Sequence, residues 1–121
     1  MYLIYEGEYL NGKRNGKGKK YYDGKLLFEG EFFNGKIWTG KGKEYHYFDV
    51  LKYEGEYLNG KWNGKGREYY ENGKLKYEGE FLDGEWNGNG KEYYKSGRLK
   101  YQGKYQNGMN LVMKLIIKKI K

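Results

Sequence analysis

The chain has 121 residues, a formal net charge of +8 and 37% hydrophobic residues, more than half of which are Tyr, Phe or Trp. The length suits a single domain, and the aromatic content argues against disorder, because disordered chains lack large apolar groups that offset the entropy of ordering. The absence of cysteine excludes a disulfide framework and a cysteine metal site.

Charge and hydropathy narrow the expected location. Residues 110–121 contribute +4, and the other +4 is spread over segments in which Glu and Lys alternate, so those segments are not a dedicated surface for polyanions. The longest apolar runs are too short to cross a bilayer, and the first patterned segment begins at Tyr5, which leaves no room for a signal peptide. We expect a cytoplasmic protein, with peripheral contact to a membrane as the alternative.

One sequence frame recurs along the chain. Residues 53–76 read YEGEYLNGKWNGKGREYYENGKLK, and residues 77–100 follow with YEGEFLDGEWNGNGKEYYKSGRLK. A period of this size indicates a repeat architecture, in which each unit needs its neighbours to bury its apolar face. Five starts lie 23, 25, 24 and 24 residues apart, at Tyr5, Phe28, Tyr53, Tyr77 and Tyr101.

Turn signals divide each repeat into two strands. Between the turns lie aromatic segments that alternate with period two, which predicts an antiparallel meander with no helix before residue 110. The second turn of the second repeat, at 48–50, has no glycine. Asn-Gly, Asp-Gly and Ser-Gly pairs favour tight two-residue turns, and they occur at residues 11–12, 23–24, 34–35, 59–60, 72–73, 83–84, 96–97 and 107–108.

Charge suggests a strand register. In the third repeat, a loop over 58–63 pairs Glu54 with Arg67 and Glu56 with Lys65. The same rule places an opposite charge across from seven of the eight glutamates in the four Glu-Gly-Glu segments, and each such pair contributes about 0.2–1 kcal/mol.

Two further predictions follow from that register. In the second repeat it pairs Glu29 with Lys43 and Glu31 with Lys41. It also sorts the sheet into one face of aromatic rings lying across glycine gaps and another face of Glu, Lys and Arg. A single-layer sheet of this kind must curl to cover its aromatic face.

The frame Y-E-G-E-[YF]-x-[ND]-G-x-x-x-G-x-G resembles the MORN (membrane occupation and recognition nexus) repeat. It is carried by residues 5–18, 53–66 and 77–90, and by residues 28–42 with one extra residue. The resemblance implies an all-β fold, an elongated antiparallel meander of stacked hairpins in a single twisted sheet. It also implies protein scaffolding, dimerisation and contact with phosphoinositides or other anionic lipids, without a common catalytic residue set.

Two regions follow from the repeat limits. Residues 1–110 form the repeat domain, with repeats starting at 5, 28, 53 and 77 and a partial one at 101, which holds Gln102 and Lys104 where Glu stands elsewhere. Residues 111–121, LVMKLIIKKIK, form an apolar and basic tail. We expect the tail to cap the last aromatic face or to pair with another chain, and contact with an anionic membrane is the alternative.

No catalytic, cofactor or metal site is expected. The Glu-Gly-Glu segments resemble paired carboxylates, but four copies of one pair, each facing Lys or Arg, indicate a structural lattice. His46 is the only histidine, so no second imidazole completes a ligand set, and it is expected in the irregular turn of the second repeat.

The candidate interaction surface combines aromatic and basic residues. Trp38, Trp62 and Trp86 recur at intervals of 24 residues in the predicted hairpin loops, where they pack over the neighbouring repeat or form a binding stripe. Aromatic residues among lysines also suit single-stranded nucleic acid, which the balanced charge of the repeats disfavours. The basic candidates are Lys13, Arg14, Lys114, Lys118 and Lys119.

The sequence therefore predicts a non-catalytic module for protein–protein interaction and scaffolding. The partner is a protein that the sequence does not identify, and self-association through the tail is a further expectation. The alternative is peripheral binding to anionic membrane lipids through the Lys-rich surface and the tail.

Overall fold

The computed structural model describes residues 3–47 and 49–120 as one open antiparallel sheet followed by a short helix. Every strand pairs with its neighbours in sequence, which confirms the predicted meander of two strands per repeat. The elements are β1 (Leu3–Leu10), β2 (Lys13–Tyr22), β3 (Lys25–Phe33), β4 (Lys36–Tyr47), β5 (Val50–Leu58), β6 (Lys61–Tyr69), β7 (Leu75–Leu82), β8 (Glu85–Tyr93), β9 (Leu99–Gln106), β10 (Met109–Asn110) and α1 (Leu111–Ile120).

Two kinds of turn join the strands. Six turns are Asn-Gly or Asp-Gly pairs in which both residues have positive φ, as at Asn59 (53°) and Gly60 (80°), and this conformation matches the twist of a hairpin. The turns near 72–73 and 96–97 are instead three-residue loops, so the two-residue turn predicted there is wrong. In the first of these, the Gly73 N–H donates to the Tyr70 carbonyl at 3.0 Å. Phe48, in the turn without glycine, lies outside the described residues.

The first hairpin of each of the four full repeats contains a bulge where a loop was predicted. β5 continues to Leu58 and β6 begins at Lys61, so the predicted six-residue loop over 58–63 is wrong. The register runs from the pair Gly55–Gly66 directly to the pair Tyr57–Trp62. Residues 63–65 of β6 therefore lie opposite Glu56 alone. A bulge absorbs residues without lengthening the turn.

The bulge changes the role of the second glutamate in three repeats. The Glu56 carboxylate accepts a hydrogen bond from the backbone N–H of Lys65 at 2.6 Å, and Glu8 and Glu80 make the same bond in their repeats. Across the ladder Lys65 faces Glu80 of the next repeat. The predicted pairing of Glu56 with Lys65 through their charges is therefore wrong, whereas Glu54 does face Arg67.

The second repeat has a register of its own. Glu29 faces Lys41 and Glu31 faces Thr39, so the predicted partners of both glutamates are wrong by two residues. The bulge of this hairpin falls between Glu31 and Phe32 and inserts one extra residue, Trp38, whereas the bulge of the third repeat inserts two.

Glycine columns run across the sheet and carry the aromatic rings. Gly55 faces Gly66, and Gly66 faces Gly79 on its other side. A Cβ on Gly66 would lie 2.6–2.8 Å from the Tyr53 ring and hydroxyl, because that ring lies flat over the glycine. Only glycine admits so close an approach.

The core is a file of aromatic rings on one face of the sheet. Each second ring of a repeat meets the first ring of the preceding repeat edge-on, as Phe81 meets Tyr53 with centroids 5.3 Å apart. Such pairs contribute about 0.5–1.5 kcal/mol each beyond their burial. The buried hydrophobic residues are Phe28, Phe32, Tyr53, Tyr57, Tyr77, Phe81 and Tyr105.

Candidate interaction surfaces

Two of the predicted surface tryptophans are packed on the aromatic core. Trp62 lies in β6 and stacks on Tyr53 with centroids 4.3 Å apart and an interplanar angle of 4°, and Trp86 stacks on Tyr77 at 4.6 Å and 5°. Both lie on strands and not in hairpin loops, which corrects the predicted location. Their rings are half-buried, so most of their surface is used within the sheet.

A glutamate completes each of these aromatic clusters. Glu44 accepts hydrogen bonds at 2.7 Å from the Tyr57 hydroxyl and from the Trp62 Nε1–H. Glu68 accepts from Trp86 at 2.9 Å and pairs with Lys76 at 3.7 Å. Burial, followed by the hydrogen bond to Glu44, raises the pKa of Tyr57 well above its usual value. These carboxylates therefore satisfy polar atoms of the core.

Trp38 is not the counterpart of the other two tryptophans. Ile37 faces Phe32 as Trp62 faces Tyr57, and the extra residue of the second repeat falls after Ile37, before Gly40. Trp38 follows Ile37 in β4 and packs at a tilt on the exposed ring of Phe33, with centroids 5.1 Å apart. The equal spacing of the three tryptophans therefore hides two different environments.

The basic candidates of the first repeat lie in β2. The Arg14 guanidinium lies 5.0 Å from the centroid of the Tyr5 ring, and Arg14 faces Tyr9 at the position that Trp62 holds in its repeat. The Lys13 ammonium donates to the Asn34 side chain at 3.2 Å. Both side chains thus contact other residues of the sheet. Arg14 is half-buried, and Lys13 is exposed.

Lys20 was not among the predicted site residues. It occupies the position of Glu44 and Glu68 in the later repeats, facing Tyr5 and Phe28 on the aromatic face. The signal was present in the segments GKGKK, GKGKE, GKGRE and GNGKE, whose last residues are Lys20, Glu44, Glu68 and Glu92.

The charged face of the sheet forms an open trough. A cavity of about 530 Å³ lies over repeats three and four, with Gly66 and Gly79 as its floor. We call this cavity the charged trough. Arg67 spans it, with Nε 2.6 Å from Glu78 and Nη1 3.5 Å from Glu54. The lining side chains are Glu54, Lys65, Arg67, Glu78, Glu80 and Asn89.

The tail is a helix with little contact to the sheet. The Asn110 side chain caps it by accepting the Met113 N–H at 2.8 Å, and Lys114 reaches Gln106 at 3.4 Å. No residue of α1 is buried, and Lys118 and Lys119 are exposed. The role of the tail as a cap stays a prediction. No helix in the described part of the chain is long and apolar enough to cross a bilayer.

His46 belongs to a strand. It lies in β4 and not in the turn, which corrects its predicted place, and its Nε2 lies 2.9 Å from the Tyr69 carbonyl of the next repeat. Within residues 3–47 and 49–120, no group of three or more His, Asp or Glu side chains is arranged to hold a metal ion.

Sequence comparison gives the family. The MORN repeat matches four times, at residues 5–25, 28–46, 53–74 and 77–97, which is well over half of the chain. No curated protein sequence matches the chain significantly. The four matches coincide with the four full repeats of the sheet, and the chain belongs to the MORN repeat family.

Proposed function

We propose that this chain is a non-catalytic module that binds a protein partner in the charged trough. MORN repeats are non-catalytic modules for protein and membrane interaction. The observation that carries the proposal is the trough itself, an open surface of about 530 Å³ in which both charge signs alternate over a glycine floor.

The mixed charge favours a protein over a polyanion. Neighbouring strands lie about 4.8 Å apart, so the lining residues present both charge signs close to one another, which suits a partner that also carries both signs. The aromatic rings that could stack on bases are turned to the other face and are buried against one another, as Tyr53 and Tyr77 are. The proposed location is the cytoplasm.

Peptide display tests this proposal. Peptides are selected from a random library for binding to the native chain. Their binding is then measured on the double variant R67E/E78R, which reverses the central ion pair of the trough while keeping the net charge. The matched control is K25D/D49K, which reverses an exposed ion pair of 3.7 Å near another turn. Peptides that bind the control and the native chain but not R67E/E78R support the proposal. Peptides that bind all three equally contradict it.

Anionic lipid binding is the second candidate, and α1 favours it. Its apolar side chains are exposed, including Leu115 at 60% and Ile120 at 79%, and it also carries Lys114, Lys118 and Lys119. A short helix with this composition suits the surface of an anionic bilayer, with attraction that weakens as salt rises.

Vesicle co-sedimentation tests the lipid candidate. The double variant I116S/I120S should fold, because α1 contributes no buried residue. Loss of its binding to phosphatidylserine vesicles supports the role of the tail, and unchanged binding contradicts it. Sedimentation without lipid shows whether α1 instead joins two copies of the chain, in which case I116S/I120S should be monomeric.

A further inference from the structure

A second cavity lies on the aromatic side, between the first three repeats. It has a volume of about 510 Å³, and we call it the cationic cavity. Four cations line it: Arg14 and Lys20 from β2, Lys36 from β4 and Lys61 from β6. None of the described residues that line it is acidic. It is separate from both the charged trough and α1, and its volume falls within the range of small-molecule sites.

Lys20 makes this cavity unlike its counterparts in later repeats. There the equivalent residue is a glutamate that pairs with a lysine, as Glu68 does with Lys76 and Glu92 with Lys100. In the first pair of repeats the charge is inverted. Leu27 precedes Phe28 at the place where Lys76 precedes Tyr77, so neither member of the ion pair is retained.

The cations of the cavity have no ion-pair partner in the part of the chain that the structure describes. Within residues 3–47 and 49–120, the Lys20 ammonium also forms no hydrogen bond. Burial, and then the neighbouring Arg14, lowers the pKa of Lys20, while Glu44 opposes this effect. The Glu44 carboxylate is already engaged by Tyr57 and Trp62. A half-buried ammonium next to a guanidinium is costly unless an anion joins them.

We propose that the cationic cavity binds a compact multivalent anion of the phosphate-ester class. The Arg14 guanidinium provides a planar fork that matches phosphate oxygens, and Lys20 provides a point charge beside it. Lys36 and Lys61 stand at the rim on exposed positions, and Trp38 and Asn59 complete the lining. A lysine at position 20, where the later repeats have a glutamate, is what distinguishes this site from the rest of the sheet.

Calorimetric titration with inorganic pyrophosphate tests the site on the full chain. The variant K20E restores the residue type of the later repeats, and K104E is the matched control. Both change the net charge by −2, but Lys104 lies in β9 facing Asn89, away from the cavity. We expect K20E to lower the affinity about tenfold or more, as loss of a charge-assisted bond does, and K104E to leave it within about twofold.

Two results would overturn the site. One is absence of saturable binding to the native chain. The other is an equal loss in K20E and K104E, which would show a diffuse charge effect. If K20E does not fold by circular dichroism, K20Q and R14Q take its place with the same expected loss.

Vesicles identify the source of the phosphate. Phosphatidylcholine vesicles containing phosphatidic acid present a phosphomonoester, and vesicles with an equal charge of phosphatidylserine do not. A preference for phosphatidic acid that K20E removes and pyrophosphate displaces shows a lipid headgroup. Pyrophosphate binding without that preference shows a soluble phosphate ester. The site and the protein-binding trough can fail independently, since R67E/E78R leaves the cavity unchanged.

Discussion

Trp62 lies flat on Tyr53, with ring centroids 4.3 Å apart, while its indole N–H donates to Glu44 of the preceding repeat at 2.7 Å. Tyr53 is fully buried, and Trp62 covers it. One side chain therefore covers the core of its own repeat and ties that repeat to the one before it. In a repeat protein such nearest-neighbour contacts carry the cooperativity.

Replacing Trp62 should cost more stability than replacing Trp38. We expect W62A to lower the free energy of unfolding by about 3–5 kcal/mol, because it opens a cavity over Tyr53 and removes a partner of Glu44. W38A should cost about 1–2 kcal/mol, since Trp38 rests on the exposed Phe33. Urea unfolding measures both. Equal losses would contradict the assignment of Trp38 to a different environment.

Gly66 should tolerate no side chain. A Cβ there would meet the buried Tyr53 ring at under 3.0 Å, so we expect G66A to cost about 1–3 kcal/mol or more through overpacking. G66A should also change the near-ultraviolet circular dichroism, because displacement of Tyr53 disturbs its stacking on Trp62. Gly73 has open space around it but a φ of +86°. G73A should therefore cost about 1 kcal/mol and leave that spectrum unchanged.

The carboxylate at the bulge should matter more than the most heavily paired surface arginine. E56A leaves the Lys65 N–H without its acceptor, and we expect a loss of about 1.5–3 kcal/mol, the value of a hydrogen bond to a charged group. R67M removes two ion pairs, but Arg67 is 53% exposed, so the expected loss is about 1 kcal/mol or less.

Salt separates these two effects. Urea unfolding at low and high sodium chloride should show the cost of R67M shrinking as salt screens the exposed pairs, while the cost of E56A persists. A larger loss for R67M than for E56A, or salt dependence of E56A alone, would contradict this account of the bulge.

Tyrosine burial predicts a loss of stability at alkaline pH. Burial raises the pKa of Tyr77 from 10.0 to about 12, although the hydrogen bond to the Glu80 carbonyl opposes this shift and the Glu80 charge adds to it. The folded protein therefore keeps a proton that the unfolded chain releases. Stability present below pH 10 falls as pH rises from about 10 to about 12, by at most about 1.4 kcal/mol per pH unit for one tyrosine. Burial raises the pKa of Tyr53 and Tyr105 in the same direction.

The variant Y77F tests the contribution of this hydroxyl. Urea unfolding midpoints measured between about pH 9 and about pH 11 should fall less steeply in Y77F than in the native chain. Y9F is the control, because Tyr9 is 61% exposed. A slope in Y77F equal to that of the native chain would show that Tyr77 does not contribute.

The strand order was predictable because its signals are local. Asn-Gly turns and period-two aromatic segments specify two strands per repeat without reference to distant residues. The bulge was not predictable from the same signals, since the residues between Tyr57 and Gly64 fit a loop as well as a bulge. The predicted equivalence of Trp38 with the other two tryptophans was wrong for a related reason. The extra residue of the second repeat places Ile37, and not Trp38, at the position of Trp62 despite the equal spacing in sequence.

By itself the sequence determined the period, the six tight Asn-Gly and Asp-Gly turns, the family and the division into an aromatic and a charged face. Tertiary structure alone decided which side chains meet. Glu56 binds a backbone N–H where an ion pair with Lys65 was expected, and Trp62 packs inward on Tyr53. Only the tertiary structure shows that Lys20 lines one cavity with three other cations, which β2, β4 and β6 bring together. The physical reason is that register and bulges position side chains across strands, and the energy of each contact depends on that position.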